Sequence, residues 1–314
     1  MAGTMRNLMM IGMGLLVAAA GWAEFTLEDN GSSETVIENG KPVLTYNYAR
    51  VAPPANVPDH FGRACYLHPV YGLDGDVMTQ DFPVDHYHHR GVFWAWPECT
   101  VGGRRMDVWA LDDVRQHHEK WTAREADADK AHVGVVNSWA FDDAPDKPQV
   151  REEVDFTVRP ADATGRAIDF RLKMTNVSDK PVTFLGAKDK GYGGFCFRPD
   201  ANRKPFTFTT AKGVCAEDAL SFETPWADMT SRAAPDGPIS GAAIFEHPSN
   251  PGYPFPGWIF RHYGFLGASW PHEKTHALAP GESFELQYRL YLHRGTAEEA
   301  KVAEKFEAYI AGLK

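Results

Sequence analysis

Six ionisable side chains fall within ten residues: Asp81, Asp85, His86, His88, His89 and Arg90, in the stretch Asp81-Phe-Pro-Val-Asp85-His86-Tyr-His88-His89-Arg90-Gly91. Trp94 and Trp96 follow at once. So many polar groups beside apolar rings are costly to bury without partners. They suit a cleft whose guest carries both hydroxyls and flat apolar faces, as a sugar does. A neutral imidazole can donate or accept a proton near pH 7, so His88 and His89 are the leading catalytic candidates. On this reading His89→Ala removes turnover and leaves the melting temperature nearly unchanged. The partner must be a carboxylate. Glu153, beside Glu152 at a strand start, and Asp189, ahead of a glycine-rich segment, are the candidates, although ion pairs with Arg151, Lys188 or Lys190 would also explain them.

Around this pair stand candidate substrate-binding groups. Arg90 and Arg198 could hold a carboxylate or sulfate through paired N–H donors, or salt-bridge to Asp85 or Asp81 instead. Trp94 and Trp96 share a face if extended, making a stacking platform or part of a core. His86, Tyr192, His262 and His293 complete the set, with His262 next to a Pro/Gly-rich run (251–257) that could act as a lid. A second chemistry is open. On a strand His86 and His88 point to one face, and Asp85 or Asp81 could add oxygen to make a metal site, for zinc first or a hard cation. The expectation is no cofactor, with a divalent metal as the alternative.

Positioning such groups falls to many short strands. Ser33 to Tyr48 reads as two strands about an Asn39-Gly40 turn. Others are expected at 66–71, 91–96, 116–123, 131–141, 154–158, 168–174, 182–186, 242–246, 258–261, 264–269 and 283–293. The last has Phe284, Leu286, Tyr288, Leu290 and Leu292 on one face and Glu285, Gln287, Arg289, Tyr291 and His293 on the other. The large polar groups of that second face could line a concave groove. Gly191, Gly193 and Gly194 mark either a bulge or the close approach of a ligand. Residues 199–238 read as long loops. A capping box at Thr296 and Glu299 opens a helix over 297–311, with Val302, Phe306, Tyr309 and Ile310 as its stripe. The pattern predicts a mainly β fold, a large antiparallel β-sandwich over 24–314 with one C-terminal helix.

Bulk properties narrow the function. A net charge of −10 with no basic stripe argues against nucleic acid as a partner. The apolar share of 43% is ample for a core, and 12% aromatics with nine Trp suit either a sugar-facing surface or a β core. Arg6, the apolar run Leu8 to Ala20 and Gly21-Trp22-Ala23 read as a secretory signal over 1–23, implying export to the periplasm or beyond and no membrane span after its removal. Cys65, Cys99, Cys196 and Cys215 then allow three disulfide pairings or four free thiols.

Several motifs carry a resemblance: Tyr66-Leu-His-Pro-Val-Tyr71-Gly72, the His-rich stretch, Gly193-Gly-Phe-x-x-Arg198, Trp258-x-x-Arg261-x-Tyr263-Gly264 and Tyr288-Arg-Leu-x-Leu-His293-Arg-Gly295. Together they resemble the secreted bacterial "methane oxygenase PmoA-like" family over nearly the whole chain after residue 23. The resemblance implies a sandwich similar to galactose mutarotases and to the related domains of sugar hydrolases and lyases. Mutarotases use a His acid and a Glu base across a concave sheet, but their motifs have no clear copy here. The family pattern places an acid just before Gly-Gly-Phe, where this chain has Gly191-Tyr192, with Asp189 earlier. Methane oxidation is not expected, because the membrane subunit of methane monooxygenase has several transmembrane helices and this chain has none after its signal. The reading is an exported carbohydrate-active enzyme, a hydrolase, lyase or epimerase. A non-catalytic glycan-binding sandwich and a metal-dependent enzyme using His86, His88 and His89 are the alternatives.

Overall fold

A strand whose apolar side chains all fall on one face must lay that face on something. Ser283–Arg294 does so through Phe284, Leu286, Tyr288, Leu290 and Leu292, all buried. Val150–Val158 does so through Val150, Val154, Phe156 and Val158. The computed structural model describes residues 24–313; the expected signal segment, 1–23, lies outside them. Among the described residues, 21 strands form three antiparallel sheets.

The nine-stranded sheet runs, in spatial order, Gly213–Cys215, Thr207–Thr210, Trp226–Arg232, Ile239–Glu246, Ser283–Arg294, Gly165–Asn176, Val150–Val158, Ala131–Phe141 and Val114–Ala126. The eight-stranded sheet runs Phe25–Asp29, Ser33–Glu38, Lys41–Asn47, Tyr66–Val70, Val92–Ala95, Gly194–Phe197, Phe265–Ala268 and Trp258–Arg261. They pack face to face. Phe195 of the smaller sheet stacks on Tyr288 at 4.9 Å and meets Phe170 at 5.1 Å, both on the larger. A four-stranded sheet (His276–Leu278, Val182–Phe184, Cys99–Val101, Arg104–Met106) closes one end. The expected mainly β antiparallel sandwich with a C-terminal helix is what the chain forms. Residues 199–238, expected as loops, supply three strands at the edge of the larger sheet.

Each sheet also has an outer face. That of the larger sheet is covered by the helix Val302–Ala311, whose Val302, Phe306 and Tyr309 bury against Trp226, Phe245 and Tyr291. The helix starts later than expected. The capping box forms, with Thr296 N–H donating to Glu299 at 2.8 Å and Glu299 N–H to the Thr296 hydroxyl at 3.2 Å. However, it closes only a turn, and Lys301 at φ 55° breaks the chain before the α-helix begins. This cover corrects the expected groove on the last strand: Tyr291 lies under the helix and Arg289 is clamped by Asp169 at 2.6 and 2.9 Å.

The outer face of the eight-stranded sheet carries a third apolar layer of Tyr66, Phe93, Ala95, Trp109, Cys196, Ile259 and Phe265. The His-rich stretch covers it. All four cysteines are free thiols, Cys215 alone half-exposed. Among the described residues no helix is long and apolar enough to cross a membrane.

Candidate functional site

The segment between Tyr66–Val70 and Val92–Ala95 folds back on itself through two tight turns, His86 N–H to Pro83 C=O and His89 N–H to His86 C=O, each 2.9 Å. Arg90 clasps it. Its guanidinium lies 3.6 Å over Phe82, bonds the carbonyls of Tyr87, His89 and Phe61, and sits 3.0 Å from Asp81, which also accepts from the Tyr66 hydroxyl. With its Nη atoms on three backbone carbonyls and its side chain fully buried beside Asp81, Arg90 builds the loop. Gly91 is required where the clasp meets the sheet: a Cβ there would stand 2.0 Å from the Leu67 carbonyl oxygen.

The three histidines come together. The ring of His86 stacks on His89 at 4.7 Å and on Tyr263 at 4.9 Å, while His88 meets His89 edge-on at 4.6 Å. Asp85 bridges the cluster, 3.1 Å from His86 Nδ1 and accepting from Arg198 at 2.6 Å. Arg198 also lies 3.4 Å from His89 Nδ1. Asp85 and His86 are the accessible members, with side chains 43% and 34% exposed; Arg198 is 0% exposed. Arg198 orients Asp85 and His89, the ion pair weighed as its alternative role. At the rim Tyr192 accepts a 2.5 Å hydrogen bond from Arg261, which also binds Asp218.

Burial decides the charges. His89 is 1% exposed, packed on Phe93, Phe265 and Trp109. Desolvation first, then the charges of His88 and Arg198, hold its pKa well below the usual imidazole range. Desolvation, followed by neighbouring charges from His86, Arg63, Arg90 and Arg198, brings His88 down to about 3. Burial raises the Asp85 carboxyl, but the Arg198 and His86 contacts outweigh it and leave it below its ordinary value. At neutral pH the cluster holds two neutral imidazoles and a carboxylate. The consequence for stability has a definite sign. The unfolded chain takes up protons near pH 6.5, whereas folded His88 does so only towards about 3. The stabilisation is complete above pH 6.5 and falls as pH drops below it, by up to about 1.4 kcal/mol per pH unit for each imidazole. Urea midpoints from pH 7 to 5 check this, and a flat profile would contradict it.

Other expected site residues are elsewhere. Glu153 faces away from the core on the opposite sheet and pairs with Lys173 at 3.2 Å, so it cannot serve the histidines. Its neighbour Glu152 points into the core. Asp189 is exposed in a left-handed turn, tied to none of the cluster. His293 lies on the outer face of the larger sheet, fully buried and 2.8 Å from Asp228. His262 pairs with Asp218 at 2.8 Å and turns its ring to Phe208; only its neighbour Tyr263 joins the site. Trp94 and Trp96 are core residues, not a platform: Trp96 donates to the Trp270 carbonyl at 2.7 Å and packs on Phe184 and Phe284. Parity explains this, because Phe93 and Ala95 take the outer face and the tryptophans the inner one. Gly194 serves packing, since a Cβ there would meet the Ala268 carbonyl oxygen at 2.4 Å.

His86 and His88 sit edge-to-face at 5.7 Å, and among the described residues no group of three or more His, Cys, Asp or Glu side chains converges as a metal site would need. Trp109 and Asp218 were not expected, since no motif marks either, and Asp218 lies far along the chain from the His-rich stretch. Arg261 and Tyr263 had a signal in the Trp-x-x-Arg-x-Tyr motif.

Residues 35–307 match the model of a family described as being of unknown function, DUF6807. No curated protein matches the sequence. Among solved structures, the chain is similar to a galactose 1-epimerase from Lactobacillus acidophilus (TM-score 0.40, 9% identity, covering 87% of this chain and 95% of that one). It is also similar to a galactose mutarotase-like protein from Lactobacillus casei (0.39, 9%, 86% and 100%). A GH36 α-galactosidase from Geobacillus stearothermophilus aligns at 0.37 and 12% over 86% of this chain, which spans 41% of the length of that enzyme.

Proposed function

The chain belongs to the DUF6807 family, and we propose that it is an exported carbohydrate-active enzyme working by proton transfer between an imidazole and its guest. One observation carries the reading. An accessible imidazole, His86, with a carboxylate at 3.1 Å, sits among half-exposed aromatic rings on the outer face of a sheet. With Nδ1 turned to Asp85, Nε2 of His86 is the atom left to exchange a proton. Asp85, itself held by Arg198, lies 3.1 Å from Nδ1 and orients the ring. Tyr192, Tyr263 and Arg261 offer hydroxyls, a ring face and N–H donors to a polyhydroxylated guest. Hydrolysis, β-elimination and epimerisation can each use such a proton-transfer group. Export to the periplasm or beyond is part of the proposal and rests on residues 1–23.

The test is a screen of the protein from residue 24 onward against uronic-acid and neutral oligosaccharides, with and without chelator, reading products by mass. A product that disappears in H86A supports the reading. Saturable binding without product would replace it with a glycan-binding module, and activity lost only to chelator would replace it with the metal-dependent alternative.

A further inference from the structure

Beside the histidine cluster, across the segments 61–63 and 109–111, lies a cleft of about 350 Å³ lined by Tyr48, Arg50, Arg63, Arg115, His117 and His118 among others. No aspartate or glutamate lines it. In a chain of net charge −10, three guanidiniums and two imidazoles around one hollow call for an account. Among the described residues no carboxylate meets the two rim arginines on the cleft side, although Arg115 also donates to the Leu111 and Val114 carbonyls at 2.7 and 2.6 Å and Arg50 to the Asp59 carbonyl. Arg50 pairs with Asp59 at 2.8 Å and Arg115 with Asp142 at 3.2 Å, and both carboxylates are exposed. Such pairs are weak and can yield to a better acceptor.

Arg63 is different. It is fully buried, and among the described residues no carboxylate pairs with it. Its Nη atoms donate to Gln116 at 3.1 Å and to the carbonyls of Val108 and Trp109 at 2.6 and 2.8 Å. Its Nε is buried with no partner. The carboxylates that act on it from a distance, Asp107 and Glu152, make no contact with it, and Glu152 is linked to it only through Gln116. A buried charge is ordinarily paired. Burial, and then the charge of Arg90, bring the Arg63 pKa down to about 9, as expected of a cation that lacks its counter-ion.

We propose that this cleft is an anion-binding site, distinct from the histidine cluster, that takes an oxyanion such as the carboxylate of a sugar acid. Ala49, Ala64 and Leu111 give its walls an apolar part, which suits an anion carried on a small organic body better than a bare ion. The proposal does not depend on the catalytic reading.

Calorimetry at fixed ionic strength tests it, with galacturonate, galactose, sulfate and phosphate as probes. Galacturonate is expected to bind saturably and galactose at least about ten-fold more weakly, one charge-assisted contact being worth that much. R115Q, at the half-buried rim, should weaken galacturonate about ten-fold. R63M should weaken it further, with circular dichroism checking that the variant folds. Sulfate or phosphate binding as tightly as galacturonate would keep the site and identify the free ion as its occupant. The proposal is overturned if no oxyanion binds below roughly 10 mM, if R115Q and folded R63M both bind like the parent protein, or if H86A abolishes binding, which would move the anion to the histidine cluster.

Discussion

His86→Ala is expected to lower turnover about 10²–10⁴-fold, the range for a lost general acid or base, while the melting temperature barely moves. The ring is a third exposed, and its partners are Asp85 and the stacked rings of His89 and Tyr263. Its neighbour behaves in the opposite way. His89 is packed among Phe93, Phe265 and Trp109, so His89→Ala opens a cavity and costs about 2–5 kcal/mol of stability, contrary to what spacing alone suggested. Asp85→Asn should reproduce the H86A defect in part and shift the acid limb of the pH–rate profile. The discriminating measurement is turnover and thermal unfolding on the same preparations. A folded H86A enzyme with parental turnover would remove His86 from the chemistry.

Glu152→Leu is expected to destabilise the fold by about 3–5 kcal/mol without touching the site. Glu152 is fully buried between the sheets and accepts hydrogen bonds from Asn137 and Trp139 at 2.7 Å and from Gln116 at 3.1 Å. Burial raises its carboxyl pKa against the pull of those donors. Leucine nearly matches its bulk but strands all three donors, and each unsatisfied buried group costs about 1–3 kcal/mol. Glu152→Gln keeps an acceptor oxygen and should lose much less. Urea unfolding of both variants decides: a loss below about 1 kcal/mol for the leucine variant would mean that the network relaxes onto other partners.

Much of the fold was legible because strand periodicity is a local property. The hairpin at Asn39-Gly40, the strand 131–141 and the alternation along 283–293 are each written in neighbouring residues, and each forms where expected. The short strands within 199–238 were not legible, since they carry weak alternation and are held by the edge they pair with. In the same way the Asp85–His86 pairing was open to local reading, whereas Arg198 lies 113 residues from the Asp85 it holds.

By itself the sequence determined the β class, the terminal amphipathic segment and the grouping of three histidines with two acids on one loop, because composition and period act over a few residues. Only the tertiary structure decided which face each group took. One residue of parity sent Trp94, Trp96 and Glu152 into the core and Glu153 into solvent. The docked helix closed the polar face of the last strand, and the turns at 83–89 left His86 open while sealing His89. Exposure and charge state follow from such packing, which depends on partners scattered through the chain.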